Sequence, residues 1–268
     1  MYRFTIIAVA AAGLVGMPVG AGAEPPRLPE IEMRLLDGGR DGNGQHLAGV
    51  EIRLEDGWKT YWRHPGDSGL APSFDFSGST NVAEVEVLWP APSISRDRYG
   101  LVFGYDREVV LPLVVTPNDP DMPVTLDLDL DFAVCADICV PLRDADTREI
   151  NDGKERVVID FYRDLVPVSL EGFDERGVIS VARSDNGENL VLKLSVGFKP
   201  GADGRLIVEG PQSWLYAVPE LVSETDAGAT VFKAPLADIV PPDTDDGLEL
   251  TVTGVSNGFA FEQTVPAP

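Results

Sequence analysis

The sequence predicts an all-β protein whose N-terminal part forms an antiparallel β-sandwich. Apolar and polar residues alternate over residues 50–54 and, in a longer run, over residues 124–132. Alternation with a period of two gives a strand one core face and one solvated face. Clusters of Gly, Pro, Asn and Asp separate the strands, as at residues 41–44 and 117–120, and short strands at this spacing are typical of a sandwich.

The remaining elements follow in chain order. Further strands are predicted at residues 31–36, 82–88 and 109–115. At residues 151–167 the apolar positions change to helical spacing and end at Pro167, which predicts a short helix or helical linker. Strands are predicted again after it, at residues 178–182, 190–196, 205–208 and 231–234, and in a hairpin of residues 248–255 with 259–265.

These elements predict the domain organisation. We expect a first β domain over residues 24–150, the helical linker over residues 151–167 and a second, smaller β domain over residues 168–268. The second domain would contain neither cysteine nor histidine.

The N-terminus has the features of a signal peptide. Arg3 supplies a positive charge, residues 4–19 form an apolar run, and residues 21–23 are a small-residue cleavage site. The alternative is a membrane anchor, but the run is short and broken by glycine and proline. The sequence therefore predicts cleavage after residue 23 and a soluble, exported protein, with the bacterial periplasm as the expected compartment because disulfides persist there.

The chain is strongly acidic. Its formal net charge is −23 at pH 7. Such a surface repels nucleic acids and anionic lipid headgroups. The composition therefore argues against nucleic acid as a partner and is otherwise explained by solubility.

The only two cysteines, Cys135 and Cys139, are separated by three residues. An extended chain would hold their Cα atoms about 13 Å apart, whereas a disulfide requires about 4.4–6.8 Å. The segment must therefore turn, by about one helical turn. Closing a loop this small stabilises a fold by only about 2 kcal/mol, and a chain of this length can bury a core without it. We interpret the pair as a reversible dithiol/disulfide.

Two other interpretations of the cysteines stay open. The first is an inert structural disulfide. The second is Cu(I) binding, since thiolates suit that soft metal, although no histidine or methionine lies within a turn of the pair. We expect no cofactor and no dedicated metal site.

The segment DFAVCADICVP, residues 131–141, resembles the cysteine segment of the DsbD N-terminal domain family, and most closely its ScsB-like, suppressor-of-copper-sensitivity variant. Upstream segments resemble the same family in the same order. They are GWKTYWR at 57–63, PGDSGL at 65–70, WPAP at 89–92 and VVLPL at 109–113.

The resemblance implies an immunoglobulin-like sandwich with a redox-active cysteine pair. It also implies periplasmic disulfide exchange with two kinds of partner: a membrane-embedded DsbD-type electron transporter, here in a separate chain, and thioredoxin-like client proteins. In DsbD a cap loop shields the pair. The matching cap residues here are Asp97, Tyr99 and Arg98, and Arg98 stands where DsbD has its most prominent aromatic residue. DsbD also separates its cysteines by five residues, not three.

Disulfide exchange requires a nucleophilic thiolate, an accessible sulfur and a route for the proton. We expect a partner thiolate to attack one cysteine, with Asp97 or Asp137 managing the proton of the leaving thiolate. Acidic neighbours in sequence would raise the thiol pKa, and Arg143 is the nearest cation in sequence. This setting suits a disulfide that is attacked better than a thiol that attacks first.

Aromatic and histidine residues complete the predictions. Tyr61, Trp62 and Tyr105 are candidate binding residues near the cysteine loop, although core packing is the commoner role for such residues. His64 is predicted to be a surface or turn residue, and the sequence around His46 indicates no role for it. A non-catalytic adaptor that binds a partner protein is the competing function.

Overall fold

The computed structural model describes residues 29–98, 100–171, 179–194, 205–210, 216–224, 229–236, 248–256 and 259–268. The predicted signal peptide and the predicted cap residue Tyr99 lie outside the described residues. Within the described ranges, no helix has both the length and the apolar character needed to cross a bilayer.

The part of the chain from β1 to β10, which we call the N-terminal unit, consists of antiparallel strands. They are β1 (Ile31–Arg40), β2 (His46–Leu54), β3 (Lys59–Gly66), β4 (Ser73–Asp75), β5 (Val82–Val87), β6 (Ser93–Asp97), β7 (Gly100–Asp106), β8 (Glu108–Pro117), β9 (Val124–Cys135) and β10 (Cys139–Ile150).

These strands form two sheets that pack face to face. One sheet has the order β1-β2-β8-β5 and the other the order β10-β9-β3-β7-β6, with β4 also paired to β9. Leu35, Val50 and Leu111 of the first sheet share one core with Trp62 and Phe103 of the second. The predicted β-sandwich is confirmed.

Strand β9 shows how the sequence produces this packing. Val124, Leu126, Leu128 and Leu130 are fully buried. Between them, Asp129 faces solvent. The alternation therefore directs one face to the core and one to water, as predicted.

The helix α1 (Arg156–Arg163) follows β10. Its buried residue, Ile159, packs against Leu36 and Val110 on the outer face of the first sheet. Val157 and Phe161, one turn apart on the helix, are exposed.

The part from β11 to β19 is the C-terminal unit. Its strands are β11 (Val168–Ser169), β12 (Ile179–Arg183), β13 (Asn189–Leu194), β14 (Arg205–Glu209), β15 (Tyr216–Ala217), β16 (Glu220–Glu224), β17 (Thr230–Pro235), β18 (Glu249–Ser256) and β19 (Phe259–Pro266). They form two sheets, β11-β19-β18-β14-β15 and β12-β13-β17-β16, around a separate core that includes Leu192, Phe232 and Phe261.

The two units contact each other at β3 and β7. Ile207 of β14 joins the core of the N-terminal unit, and Tyr216 of β15 packs against its edge. The pairing of β3 with β7 is irregular between Tyr61 and Gly66. This irregular stretch contains Arg63, which contacts the C-terminal unit.

Candidate functional site

The two cysteines form a disulfide across the end of the β9–β10 hairpin. Cys135 ends β9, Cys139 begins β10, and the two residues lie directly opposite each other in the ladder. Their Cα atoms are 4.2 Å apart. The backbone N–H of Ala136 donates to the carbonyl of Ile138 at 3.0 Å and closes the loop. The chain turns as predicted, but the expected helical turn is wrong, because the three-residue loop continues an antiparallel ladder instead.

The two sulfur-bearing residues differ in exposure. Cys135 is only 1% exposed, whereas Cys139 is exposed. Ile138, between them, is 44% exposed. An incoming thiol would therefore meet Cys139 first.

Cys135 lies on the outer face of its sheet, in a small apolar cluster with Tyr61, Val102 and Ala133. The Tyr61 hydroxyl donates to Cys135 Sγ at 2.6 Å and lies 3.5 Å from Cys139 Sγ. Burial, with a smaller contribution from the Asp97 carboxylate, raises the pKa of Tyr61 to about 12. Tyr61 therefore keeps its proton at neutral pH and acts as a hydrogen-bond donor beside the disulfide.

The close approach of the main chain fixes the Tyr61 ring. A Cβ atom added to Gly69 would lie 2.3 Å from Tyr61 Cε1, and Gly69 has a φ of +128°. Only glycine combines that backbone conformation with so close a contact. The ring is therefore held between the sheet and this loop.

The hairpin of β6 and β7, which we call the capping hairpin, brings its tip to the cysteine loop. Asp97 pairs with Gly100 at the end of the hairpin. At the tip, Arg98 Nη2 donates to Asp137 Oδ1 at 2.9 Å. Lys59 Nζ lies 3.7 Å from Asp97 Oδ2. The structure thus brings the predicted cap residues Asp97 and Arg98 to the disulfide loop.

The charges around the disulfide differ from those expected from neighbours in sequence. Lys59 lies opposite Cys135 in the β3–β9 pairing, and Arg98 reaches Asp137 from the tip of the capping hairpin. Arg143, the nearest cation in sequence, instead lies 3.6 Å from Asp129. The surroundings are therefore of mixed charge, which sequence proximity did not indicate.

The other two candidate binding residues face the sandwich core. Trp62 is fully buried, with the Arg63 guanidinium 4.3 Å from the centre of its ring. Tyr105 is buried and its hydroxyl donates to the Pro90 carbonyl at 2.7 Å. Burial raises the pKa of Tyr105 well above its ordinary value. Of the three aromatic candidates, Tyr61 is therefore the one placed at the sulfur atoms.

His64 and His46 are both buried, so the prediction of a surface or turn position for His64 is wrong. They are 3% and 4% exposed, respectively. Burial, followed by the charge of Arg63, lowers the pKa of His64 to about 4. Burial also lowers the pKa of His46. Both side chains belong to packed regions because their neighbours are supplied by strands distant in sequence.

Sequence reasoning missed the ionic contacts between the two units. Arg63 donates through Nε to Glu209 at 3.1 Å and through Nη2 to the same carboxylate at 2.5 Å. Its Nη2 also pairs with Glu262. The partners are 146 and 199 residues away in sequence, so no local pattern could have revealed them.

Within the ranges that the structure describes, no three His, Cys, Asp or Glu side chains converge as metal ligands.

These observations define a class: a β-sandwich domain that carries a cysteine pair at a hairpin end, under the tip of a second hairpin. Residues 35–149 match the family described as "Thiol:disulfide interchange protein DsbD, N-terminal". The match includes both cysteines, Tyr61 and the capping hairpin. The resemblance inferred from the sequence is confirmed.

A solved structure extends the likeness beyond these residues. The N-terminal periplasmic domain of ScsB from Proteus mirabilis is 22% identical, with 88% of this chain and 91% of that chain covered and a TM-score of 0.64. The shared fold therefore reaches into the C-terminal unit, and the expected immunoglobulin-like fold class is confirmed.

A putative membrane anchored protein from Corynebacterium diphtheriae matches at 11% identity over 90% of this chain and 53% of that chain, with a TM-score of 0.22, too low to support a common fold. A search of curated proteins finds no significant match.

Proposed function

We propose that this protein is a periplasmic thiol–disulfide exchange module. It relays reducing equivalents between a membrane-embedded DsbD-type electron transporter, in a separate chain, and thioredoxin-like client proteins. Cys135 and Cys139 carry the electrons. The match of residues 35–149 to a thiol:disulfide interchange family supports the class of reaction.

The observation that carries the proposal is the asymmetry of the disulfide. Cys139 is exposed, while Cys135 is buried and accepts a hydrogen bond from Tyr61 at 2.6 Å. An attacked sulfur must be accessible, and a leaving sulfur benefits from a donor that stabilises its negative charge. The two cysteines meet these two different requirements.

The first half of the exchange starts with a thiolate of a reduced dithiol partner. That thiolate attacks Cys139 Sγ and forms a mixed disulfide. The bond to Cys135 breaks, and its electron pair stays on Cys135 Sγ as a thiolate that accepts the Tyr61 hydrogen bond.

The second half releases the partner. Its second thiolate attacks its own sulfur in the mixed disulfide, so that Cys139 leaves as a thiolate. The partner is then oxidised by two electrons and Cys135 and Cys139 are both reduced. The reverse sequence, starting from the Cys139 thiolate, reduces the disulfide of a client.

The proton step involves groups at the edge of the site. Asp97 contributes to the raised pKa of Tyr61, and its Oδ2 lies 3.7 Å from Nζ of Lys59, the residue opposite Cys135 in the β3–β9 pairing. The Asp137 side chain is 98% exposed and bonded to Arg98. Asp97 is therefore the better candidate for carrying a proton between solvent and Cys135 Sγ when that sulfur leaves as a thiolate.

Trapping of the mixed disulfide tests the proposal. Cys135→Ala keeps the exposed cysteine and Cys139→Ala keeps the buried one. Each variant is mixed with a thioredoxin-type dithiol protein activated as a disulfide with a small aromatic thiol. We expect Cys135→Ala to form a covalent complex at least tenfold faster than Cys139→Ala, because thiol exchange depends on access.

The two variants are matched, since each retains one thiol from the same pair. Equal trapping by both would contradict the assignment of Cys139. A wild-type disulfide that a reduced thioredoxin-type protein fails to open, in a folded sample, would favour the inert structural disulfide.

A further inference from the structure

The carboxylate of Asp67 joins the two units near the tip of the capping hairpin. On one side, the backbone N–H of Leu101 donates to Asp67 Oδ2 at 2.6 Å, and the backbone N–H of Asp67 donates to the Leu101 carbonyl at 2.9 Å. On the other side, the Tyr216 hydroxyl of the C-terminal unit donates to Asp67 Oδ1. Asp67 Oδ2 therefore contacts the N-terminal unit, and Asp67 Oδ1 contacts the C-terminal unit.

This contact lies next to the tip that approaches the cysteine loop. Gly100, which pairs with Asp97 at the end of the hairpin, has a φ of +129°, and a Cβ atom there would lie 2.1 Å from Asp67 Oδ2. The carboxylate thus lies against the main chain of the hairpin. A displacement of Asp67 would displace Asp97 and Arg98, the two residues of the tip that approach the cysteine loop.

Packing directs the Tyr216 hydroxyl towards Asp67. The Tyr216 ring lies 4.8 Å from the His64 ring and 5.1 Å from the Phe103 ring, centroid to centroid. Both neighbours belong to the N-terminal unit and are buried. The hydroxyl is therefore presented by a ring that is itself held in place.

Farther along the same hairpin the contact between the units is open. A cavity of about 600 Å³ lies between them, with Ile94 and Arg96 of β6 on one side and Val218 and Leu221 on the other. Because this open space lies beside β6, the contact through Asp67 near the tip anchors the hairpin to the C-terminal unit.

We propose that Tyr216 and Asp67 are positioning residues that hold the tip of the capping hairpin against the cysteine loop. The C-terminal unit thereby sets how readily a thiol reaches the Cys135–Cys139 bond. This inference rests on the proposed exchange function and gives the C-terminal unit a part in it.

The test is the rate at which the disulfide of the full chain is reduced. Dithiothreitol is the small probe and a reduced thioredoxin-type protein is the large one, with alkylation and mass measurement to count free thiols. Tyr216→Phe removes one hydroxyl and keeps the ring. We expect it to raise the rate constant for dithiothreitol about three- to tenfold, because a weaker anchor increases the fraction of open hairpin.

Asp67→Asn provides a second variant at the same contact. It keeps the shape of the side chain but removes the charge, and we expect a rate increase of about the same size. Tyr162→Phe is the matched control, since Tyr162 is a half-buried tyrosine on α1, and its rate should equal that of the wild type.

The outcomes distinguish the positioning role from the exchange function. If wild type exchanges but Tyr216→Phe and Asp67→Asn react at the wild-type rate, the positioning role is overturned and the exchange function stands. The role is also overturned if all three variants, including Tyr162→Phe, react faster in proportion to their loss of melting temperature. If wild-type disulfide resists both probes, the exchange function itself fails.

Discussion

Strand β3 contributes side chains to two regions that differ in charge: the interface between the units pairs full charges, whereas the disulfide is contacted by a neutral hydrogen-bond donor. At the interface between the units, Arg63 is enclosed by Glu209 and Glu262. At the disulfide, two residues earlier in the same strand, the group in contact with sulfur is the neutral Tyr61 hydroxyl. Charged side chains are present there, but Arg98 and Asp137 stand at the exposed edge.

The difference follows from what each region does. A permanent interface benefits from full charges that are paired and partly removed from water, because separating them is costly. A site where negative charge appears and disappears on sulfur is better served by a neutral donor that keeps its proton in both states. The raised pKa of Tyr61 provides that property.

The largest expected effect comes from removing the charge at the interface. Arg63→Met leaves Glu209 and Glu262 without their cation, and we expect a loss of about 3 kcal/mol in the free energy of unfolding. Chemical denaturation with urea measures it. The rate of disulfide reduction in the folded variant should change much less than its stability.

Arg143→Met is the matched control for this substitution. Arg143 also pairs with two carboxylates, at 3.6 and 3.9 Å, but its side chain is 64% exposed. Exposed ion pairs contribute little, so we expect a loss below about 0.5 kcal/mol. Equal losses for the two variants would contradict the distinction between an enclosed and an exposed cluster.

The next effect is a pH dependence at the same interface. His64 has a pKa of about 4 in the folded protein and about 6.5 when unfolded. The folded state therefore binds fewer protons between these values, and stability falls as pH falls through that window. We expect His64→Gln to lose about 2 kcal/mol less than wild type between pH 7.5 and 4.5.

Urea denaturation at both pH values measures this difference. His46→Gln is informative beside it, because burial also lowers the pKa of His46 but at a different place in the sandwich. An unchanged pH dependence in His64→Gln would show that the pKa of His64 is the same in the folded and unfolded protein.

The smallest expected effect concerns the disulfide. Tyr61→Phe keeps the ring against Gly69 and removes the donor to Cys135. We expect the rate of reduction to fall about tenfold. The reason is that Cys135 Sγ, which is negatively charged when it leaves, loses the hydrogen bond from the Tyr61 hydroxyl. The free energy of unfolding should change by only about 1 kcal/mol.

Rates measured by thiol alkylation between pH 6 and 9 provide the readout. Tyr162→Phe again controls for the loss of a tyrosine hydroxyl away from sulfur. A wild-type rate in Tyr61→Phe would remove this hydroxyl from the mechanism.

Local patterns predicted much of the fold. The alternation over residues 124–132 predicted most of β9, which the structure extends to Cys135. Strands β12, β13 and β17 were also predicted within two residues at either end. In contrast, β10 was missed because its exposed, charged residues have no apolar alternation.

The site itself was only partly predictable. The cysteines and the cap residues Asp97 and Arg98 were identified from residue types and from resemblance. Lys59 was missed because its proximity to Cys135 arises from pairing between β3 and β9. Such pairings depend on the register of strands far apart in sequence, which the pattern within each strand does not specify.

The ladder of β9 and β10 continues from Cys135 and Cys139 as far as Val124 and Ile150. Opening the sulfur–sulfur bond leaves this framework in place, so the two thiols remain neighbours at a very high effective concentration. Covalent adducts with other proteins should accordingly be short-lived, since the second sulfur is always within reach to expel the adduct. Turnover then requires no refolding between one redox state and the other.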